Sequence, residues 1–303
     1  MKRILIIGAI LMLTMYVAIC YYFSSKVIIP PRRALENPHE LVKQYGAFTD
    51  VVVNTEDGLL LQGWLFDQPD SASCGVIMVH GHGSNRYGMR HWMPYFWLKG
   101  CDVLMYDHRA HGESGGNYGT FGIKESQDLL KVHEYFKTVT ALENEEIAWV
   151  GSSWGAATVL HAGSEVNDLA FILSDSPFED LNSAVIERAI RDYGSWIKLL
   201  KPTIYAMVQW RADFDPDHAS TLERAKSVNS PVLLIHSQTD EDTSSDQSES
   251  IAEAMAQERL IFHHTDWGSA HVKDVQNFPD RYWGLVDDFL EKKVSDLSTA
   301  FSK

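Results

Sequence analysis

The feature that most constrains the fold of this 303-residue chain is a series of short apolar runs separated by helical patterns. Each run is nearly continuous in hydrophobic residues, as in strands that are buried on both faces of a parallel sheet. The runs are Val76–His80, Val103–Tyr106, Ile147–Val150, Ala170–Leu173, Val232–Ile235 and Leu260–Phe262. Helical patterns such as Lys124–Phe136 and Ser248–Met255 lie between most of them. This alternation predicts an α/β fold whose mostly parallel sheet is covered by helices on both faces.

Two further segments complete the predicted architecture. Apolar alternation from Phe48 to Phe66, split by an Asp-Gly turn, is typical of a β-hairpin and brings the sheet to eight strands. Residues 280–292 show the amphipathic pattern of a closing helix. The interval 179–228 is far longer than the usual connection between strands, and we interpret it as a short helical cap inserted over the sheet. Its helical patterns are Asn182–Tyr193 and Lys198–Trp210.

The N-terminal segment predicts a membrane helix. From Ile4 to Phe23 the chain carries no charge for twenty residues, enough helix to cross a hydrocarbon core of about 30 Å. A cleaved signal peptide is the alternative, but no A-x-A-like site follows the run. We expect residues 1–33 to be a single-pass membrane anchor with its linker, and residues 34–303 to be the α/β domain. Flanking charges leave the orientation open, and a span so near the N-terminus favours an external (periplasmic or extracellular) body.

Composition excludes several classes of protein. The net charge of −15 makes nucleic acid an unsuitable partner, because phosphate binding needs a basic face. The first 33 residues contain bases and no acid, so any attachment to a membrane would come from this segment. Three cysteines, Cys20, Cys74 and Cys101, lack the spacing of a zinc site or a disulfide framework. Nothing in the sequence indicates an oligomeric state.

The strongest chemical signal is Gly151-Ser152-Ser153-Trp154-Gly155, directly after the third apolar run. A Gly-x-Ser-x-Gly motif is weak alone, but here a strand precedes it and a small-residue helix start follows it. A sharp turn from strand to helix strains the serine backbone and exposes its Oγ at the edge of the sheet. Ser153 is therefore the candidate nucleophile.

A serine hydroxyl needs a base to remove its proton, and the base needs an acid to orient it. In a sheet with such a turn, the acid and then the base follow the serine along the chain, each after a later strand. Asp240 follows the fifth apolar run and His271 follows the sixth, which makes them the candidate acid and base. Asp242 and Asp175 are alternative acids.

Acyl transfer also needs hydrogen-bond donors for the negative charge of the tetrahedral intermediate. The backbone N–H of Trp154, directly after the nucleophile, is one expected donor. The other is the backbone N–H of His82, in a loop whose glycines allow close approach to a substrate. A group of histidines could instead suggest a metal: His80, His82, His108 and His111. Their spacing fits no HExxH pattern, so we expect neither a metal nor a cofactor.

Taken together, the motifs resemble those of the α/β-hydrolase superfamily over the region from Val51 to Leu290. They are His-Gly-x-Gly at 80–83, Asp-x-Arg-x-x-Gly-x-Ser at 107–114, Gly-x-Ser-x-Gly at 151–155, Asp240 and His271. The chain most resembles membrane-anchored bacterial members near the monoacylglycerol-lipase-like and serine-peptidase-like branches. The resemblance implies acyl transfer to water without a cofactor. Ala110, Ser237 and Ala270 depart from the usual pattern, since glycine is common at these positions.

We therefore expect a serine hydrolase of carboxylesterase or lysophospholipase type, acting on a small-molecule ester with an apolar acyl group. The cap offers apolar surface for an acyl chain at Trp196, Leu199, Leu200, Tyr205, Met207 and Trp210. A serine aminopeptidase-like amide hydrolase is the alternative, because cap acids could hold a free amine. These acids are Glu187, Asp192, Asp213, Asp215 and Asp217. A non-catalytic scaffold is a further alternative, since fold alone does not establish an activity.

Two other pairs of residues have structural interpretations. We assign Asp107 and Arg109 to holding loops together rather than to chemistry. Cys74 and Cys101 each lie two residues before a predicted strand, and the implied fold makes these strands parallel neighbours. Two reduced core cysteines are the favoured interpretation. A disulfide is the alternative, and it would indicate an oxidising exterior.

Overall fold

The computed structural model describes residues 1–294 and 300–301, with an eight-stranded sheet at its centre. The strands are β1 (Thr49–Asn54), β2 (Leu60–Phe66), β3 (Cys74–Val79), β4 (Cys101–Tyr106), β5 (Ile147–Ser152), β6 (Phe171–Asp175), β7 (Val232–Ser237) and β8 (Leu260–Thr265). Their order in the sheet is β1-β2-β4-β3-β5-β6-β7-β8. β2 is antiparallel to β1 and to β4, and the other pairs are parallel, which confirms the predicted sheet. The last part of the predicted domain, 295–299 and 302–303, lies outside the described residues.

Helices cover both faces of the sheet and fill the long interval between β6 and β7. They are α1 (Lys2–Ile28), α2 (His39–Tyr45), α3 (Met93–Leu98), α4 (Ile123–Thr140), α5 (Trp154–Gly163), α6 (Leu181–Tyr193), α7 (Lys201–Ala212), α8 (Thr221–Ala225), α9 (Asp246–Ala254), α10 (Asp274–Asn277) and α11 (Pro279–Phe289). Short 3₁₀ helices lie at Arg86–His91, Asn144–Glu146, Ser195–Leu200 and Pro216–His218, and a π-helical turn lies at Leu290–Val294.

Two apolar layers pack against the sheet, because successive residues of a strand point to opposite faces. On one face, Val76 of β3 belongs to the same layer as Phe289 of α11. On the other face, the next residue, Ile77, belongs to the same layer as Phe136 of α4. All four side chains are fully buried. Burial on both faces explains why the sequence of β3 is a continuous apolar run and does not alternate.

The structure differs from the predicted element bounds in two respects. The central strands extend beyond their apolar runs, because polar residues at the carboxyl ends still pair, as Ser152 of β5 does with Asp175 of β6. The region predicted as one helix, Lys198–Trp210, is a 3₁₀ helix followed by α7. Pro202 lies in the first turn of α7, where its missing N–H costs no hydrogen bond, so the proline marks the start of a new helix.

Cys74 and Cys101 form a disulfide bond, and the interpretation as two reduced cysteines is therefore wrong for this structure. The two residues lie directly opposite each other on the parallel strands β3 and β4. Their Cα atoms are 4.5 Å apart, within the range that a disulfide requires. Cys20 of α1 is buried and free.

α1 is the one helix among the described residues that is long and apolar enough to cross a membrane. It has 27 residues, and its most apolar stretch has a mean hydropathy of 2.5 with only 6% of its residues buried. Length and composition of this kind fit either a membrane span or a signal anchor. The last turns of α1 differ from the rest, because Cys20, Ser24, Val27 and Ile28 are buried against the body of the protein.

Candidate active site

Ser153 lies in the turn between β5 and α5, at the carboxyl edge of the sheet. Its backbone has a φ of 54° and a ψ of −115°, a conformation that residues other than glycine rarely adopt. A hydrogen bond of 2.7 Å from the N–H of Ser153 to the carbonyl oxygen of Asp175 holds the turn against β6. The turn has the form expected for a nucleophile between a strand and a helix.

The glycines of the motif are required by close backbone packing. A Cβ atom on Gly155 would lie 2.0 Å from the carbonyl oxygen of Val79 on β3, and one on Gly151 would lie 2.3 Å from the carbonyl oxygen of Gly155. Both obstructing atoms belong to the backbone, so they cannot move aside as a flexible side chain could. The absence of a Cβ lets strand, turn and helix approach closely enough to hold Ser153 in place.

The side chains of Ser153, His271 and Asp240 form a continuous series of hydrogen bonds. Oγ of Ser153 lies 2.7 Å from Nε2 of His271, and Nδ1 of the same ring lies 2.5 Å from Oδ2 of Asp240. Since an ionised carboxylate only accepts hydrogen bonds, we assign the ring proton to Nδ1, which leaves Nε2 to accept the hydroxyl proton. The structure thus brings together the three side chains that the sequence places after separate strands.

A second histidine, His236 at the end of β7, bonds the same carboxylate oxygen. Its Nε2 lies 2.9 Å from Oδ2 of Asp240, and its Nδ1 lies 2.6 Å from Oγ of Ser248. The other oxygen of Asp240 accepts the backbone N–H groups of Asp242 and Thr243 at 2.8 and 3.0 Å. Sequence reasoning missed His236, and the signal that could have found it is its position four residues before the candidate acid.

Two opposing effects set the pKa of Asp240. Burial raises it, because the charged form loses its hydration, whereas the hydrogen bonds from His236 and His271 lower it. The hydrogen bonds outweigh burial, so the pKa of Asp240 lies well below its ordinary value of 3.8. Asp240 is therefore an anion near pH 7, and its charge can stabilise an imidazolium on His271.

The two alternative acids have other partners. Asp175 is buried and accepts a hydrogen bond of 2.9 Å from the hydroxyl of Tyr282, and burial raises its pKa to about 6. The side chain of Asp242 is half exposed and lies 3.4 Å from the guanidinium of Arg188. Of the three carboxylates, the one that bonds the ring of His271 is Asp240.

Trp154 and His82, whose backbone N–H groups are the expected oxyanion donors, both border the cavity at Ser153. Trp154 opens α5, and the N–H groups in the first turn of a helix have no intrahelical acceptor. The loop that carries His82 passes close to the nucleophile, because a Cβ on Gly81 would lie 3.0 Å from Cβ of Ser153. The rings of His82 and Trp154 stack with centroids 5.3 Å apart. Both backbone segments therefore lie beside the candidate nucleophile.

The histidines that could suggest a metal pack against one another. The ring centroid of His80 lies 4.9 Å from that of His108 and 5.1 Å from that of His111. Backbone groups engage both ring nitrogens of His80, the carbonyl of Gly81 at Nδ1 and the N–H of His108 at Nε2. Burial lowers the pKa of His80 to about 4, so this ring is neutral near pH 7.

A different set, His236, Asp240 and His271, places three potential metal-ligand atoms within 4.8 Å of one another. The ring nitrogens lie 2.9 and 2.5 Å from the carboxylate oxygen between them. Tetrahedral ligands held about 2.1 Å from one ion would be about 3.4 Å apart. The observed distances therefore fit hydrogen bonds and leave no room for an ion.

Asp107 and Arg109 link loops, as expected from the sequence. Nη2 of Arg109 lies 2.6 Å from the carboxylate of Asp128 on α4, and Nη1 lies 2.9 Å from Asp57 in the β1–β2 turn. The buried carboxylate of Asp107 lies 2.5 Å from Arg86. These ion pairs tie the loop after β4 to three other segments.

Two cavities of different character meet at Ser153. The first has a volume of about 350 Å³ and lies between the sheet edge, α1, α6 and α7. Most of its exposed lining is apolar and includes Phe23, Val27, Phe121, Phe178, Val185 and Ile204, and we call it the apolar cavity. Four charged residues also border it, Lys26, Arg188, Asp192 and Lys201. The second has a volume of about 330 Å³ and lies on the side of His271. Its polar lining includes Arg33, Ser84, Asn85, Arg90, Lys273 and Gln276.

Comparison with known proteins agrees with the fold. Residues 76–202 match a family model described as the alpha/beta hydrolase fold. The chain is 30% identical over 256 residues to the uncharacterized protein YqkD of Bacillus subtilis, a match that covers 80% of this chain and 82% of that protein. The chain belongs to the α/β-hydrolase superfamily.

Solved α/β-hydrolase structures include both esterase and peptidase neighbours. The esterase Pf2001 of Pyrococcus furiosus superposes on this α/β-hydrolase with a TM-score of 0.70 and 27% identity, over 88% of this chain and 99% of that chain. The acylaminoacyl peptidase of Pyrococcus horikoshii gives a TM-score of 0.63 at 20% identity, over 86% of this chain and 44% of that chain. The likeness to the peptidase concerns the fold alone.

Proposed function

We propose that this α/β-hydrolase is a serine esterase that cleaves carboxylic esters with an apolar acyl group through a covalent acyl-enzyme. The observation that carries this proposal is the series of hydrogen bonds from Asp240 through His271 to Oγ of Ser153. A serine hydroxyl is a weak nucleophile until a base takes its proton, and Nε2 of His271 is placed to do so.

In the first half of the reaction, Oγ of Ser153 attacks the acyl carbonyl carbon while its proton passes to Nε2 of His271. The carbonyl oxygen becomes an anion, which the backbone N–H groups of Trp154 and His82 stabilise. Protonated His271 then gives its proton to the leaving alcohol as the ester C–O bond breaks, and an acyl-enzyme remains. Water repeats these steps on the acyl-enzyme, releases the carboxylic acid and restores Ser153. Asp240 stays ionised and stabilises the imidazolium in both halves.

The two cavities support an ester with unlike ends. The apolar cavity suits the acyl group, because transfer of hydrocarbon from water to an apolar surface is favourable. The cavity on the side of His271 suits a polar leaving group, since most of its lining residues are polar, with Arg33, Arg90 and Lys273 among them. His271 donates its proton to the leaving group on the same side.

Amide hydrolysis and a non-catalytic role have less support. Of the five cap acids that could hold a free amine, Asp192 is the one that borders the apolar cavity, and its carboxylate lies 3.1 Å from Arg191. A free amine would therefore compete with a guanidinium for this carboxylate. A scaffold has no need of a nucleophile, base and acid in hydrogen-bonded series.

We also propose that α1 is a single-pass membrane anchor and that the catalytic body lies on the external side. The uncharged length of α1 supports a span. The disulfide between Cys74 and Cys101 supports an oxidising compartment, because disulfides are rare in proteins that face the reducing cytosol.

The test is labelling of the full-length chain in detergent with a fluorophosphonate probe, which reacts with activated serines. The full chain is needed because a chain starting at Ala34 would lack the α1 residues that line the apolar cavity. We expect Ser153→Ala to abolish labelling. Ser152→Ala is the matched control, since its hydroxyl lies on the neighbouring residue, 3.5 Å from the sulfur of Met89, and we expect it to retain labelling.

A panel of acyl esters and aminoacyl amides then separates the candidate activities. We expect ester hydrolysis that depends on Ser153. Activity on amides alone would overturn the esterase, and a folded protein that neither labels nor hydrolyses would favour the scaffold.

A further inference from the structure

We propose that the last turns of α1 form part of the substrate site, and that this site takes its ester from the bilayer in which α1 lies. This inference rests on the proposed function and names its substrate class. The substrate would be a membrane-resident ester with a long acyl chain.

α1 supplies a wall of the apolar cavity. Phe23, Lys26 and Val27 line it together with Ser153, although they lie about 130 residues earlier in the chain. Val27 is only 7% exposed, and the ring of Phe23 makes an edge contact with Tyr193 of α6 at 5.0 Å between centroids. Without α1 this side of the cavity would open to water. The membrane helix is therefore a structural component of the site as well as an anchor.

Polar contacts fix α1 against the cap. Nη1 of Arg211 on α7 donates to Oγ of Ser24 at 2.6 Å and to Oγ of Ser25 at 2.8 Å. The same guanidinium lies 4.1 Å from the centroid of the Tyr21 ring. Three residues of α1 thus hold one cation of α7, so the wall has a defined position relative to Ser153.

The contact between Tyr16 and Thr203 fixes how far the cap extends along α1 toward the membrane. Oη of Tyr16 lies 2.6 Å from Oγ1 of Thr203, at the start of α7. Tyr16 lies in the uncharged run, seven residues before Phe23, the last apolar residue before Ser24 and Ser25, which is about 10 Å along a helix. If the run spans the bilayer, the start of α7 enters the membrane interface to about this depth. Amphipathic elements that lie in the interface are buried to about 5–10 Å.

The surface of the cap beside α1 suits such an environment. Leu199 is 80% exposed and Trp210 is 78% exposed, while Trp196, close to the Phe23 ring, is 49% exposed. The sequence predicts that these three side chains contact an acyl chain, but none of them lines the apolar cavity. Tryptophan is enriched where a membrane meets water.

The elements that carry these side chains contact α1 through Trp196 and Thr203, which argues for a bilayer as the occupant rather than a folded partner. Lys198, exposed beside Leu199, can extend its amine to the lipid headgroups. An acyl chain could then pass from the membrane into the cavity without crossing water.

The experiment uses the full-length chain in phosphatidylcholine vesicles and two esters with one leaving group. 4-Methylumbelliferyl oleate resides in the bilayer, and 4-methylumbelliferyl butyrate dissolves in water. We expect Leu199→Glu to lower the rate of oleate hydrolysis about tenfold, because a charge at this exposed position of the cap resists entry into the membrane interface. The rate of butyrate hydrolysis should stay within about twofold of wild type. Leu98→Glu is the matched control, since Leu98 is 82% exposed on α3, and it should change neither rate. Equal effects of the two variants would overturn the membrane contact.

A second pair of variants tests the wall. Val27→Phe adds volume inside the cavity, and we expect it to shift the preferred acyl chain to a shorter length. Val17→Phe makes the same change on the same helix at a position that is 44% exposed, and we expect no shift. An unchanged chain-length preference with Val27→Phe would show that α1 does not bound the acyl site.

Two further measurements distinguish failure of the proposed esterase function from failure of the membrane contact. If the wild-type protein hydrolyses neither ester and is not labelled by the fluorophosphonate, the proposed esterase function is wrong, whether or not the cap contacts the membrane. An environment-sensitive dye attached to Leu199→Cys reports that position without any activity. We expect its emission to shift to shorter wavelength in vesicles, while the dye on Leu98→Cys does not shift, and equal emission would contradict membrane contact.

Discussion

Nε2 of His236 lies 2.9 Å from Oδ2 of Asp240, so the carboxylate that orients the candidate base is itself held by a second ring. Both partners of this Nε2, the carboxylate and the carbonyl of Thr243, only accept hydrogen bonds. Nε2 therefore carries the proton, and Nδ1 accepts the hydroxyl proton of Ser248. Under the proposed function His236 is a positioning residue, because it would act on the reaction through Asp240.

We predict that His236→Ala lowers kcat about tenfold with little change in KM, because a misoriented base affects the reaction more than it affects binding. His236→Gln keeps an N–H donor near Asp240 and should recover part of the lost rate. Steady-state hydrolysis of a short soluble ester measures both, with circular dichroism as the check on folding. Equal losses in the two variants, together with a raised KM, would indicate a general structural defect instead.

The sequence predicts the sheet and the three side chains of the candidate site because both depend on local patterns. Ser153 is marked by its own strand and helix, and Asp240 and His271 by the strands that precede them. The role of His236 depends on the turn after β7, which folds the carboxylate of Asp240 back toward the strand end. A single sequence contains no periodicity that reports such a turn.

Local sequence patterns also do not predict contacts that depend on strand register or on how distant elements pack together. The Cys74–Cys101 bond requires the two strands to pair residue for residue, which the apolar runs do not specify. The position of Phe23 in the cavity wall requires α1 to pack on the cap, and an apolar run predicts burial in lipid equally well.

We predict opposite effects of the same substitution at two glycines. Gly155→Ala forces a Cβ against the carbonyl oxygen of Val79 and should destabilise the fold by about 3 kcal/mol or prevent folding. Gly284→Ala, at an exposed position in α11 with no atom within 4 Å of the added Cβ, should stabilise the helix by up to about 1 kcal/mol. Thermal unfolding in detergent measures both. A Gly155→Ala protein as stable as wild type would contradict the packing at the turn.

We predict that protein purified without reductant, then unfolded and alkylated, carries one modified cysteine, Cys20. With reductant, mass spectrometry should find three. The bond closes a loop between positions 27 residues apart, so its loss should lower the free energy of unfolding by about 3–4 kcal/mol. If three cysteines are modified without reductant, Cys74 and Cys101 are not bonded in the protein. The argument from the disulfide for an external location would then be lost.

We predict that Asp175 makes the protein less stable as the pH rises through about 6. Burial raises the pKa of Asp175 from 3.8 in the unfolded chain to about 6, so the folded state binds a proton more tightly than the unfolded state does. Stability from this group is therefore greatest at low pH and is lost as the carboxyl ionises. Between pH 5 and pH 8 the loss should be about 1 kcal/mol.

Asp175→Asn isolates this effect, because an amide has no charge to bury and its oxygen can still accept the hydroxyl proton of Tyr282. Other groups titrate in the same range, but they are common to both proteins and cancel in the difference. The free energy of unfolding of the variant minus that of wild type should therefore be larger at pH 8 than at pH 5, by about 1 kcal/mol. Urea unfolding at the two pH values gives this difference. If this difference between variant and wild type is the same at pH 5 and pH 8, Asp175 has its ordinary pKa in the folded protein. Only a pKa that differs between the folded and unfolded states makes the difference in free energy of unfolding depend on pH.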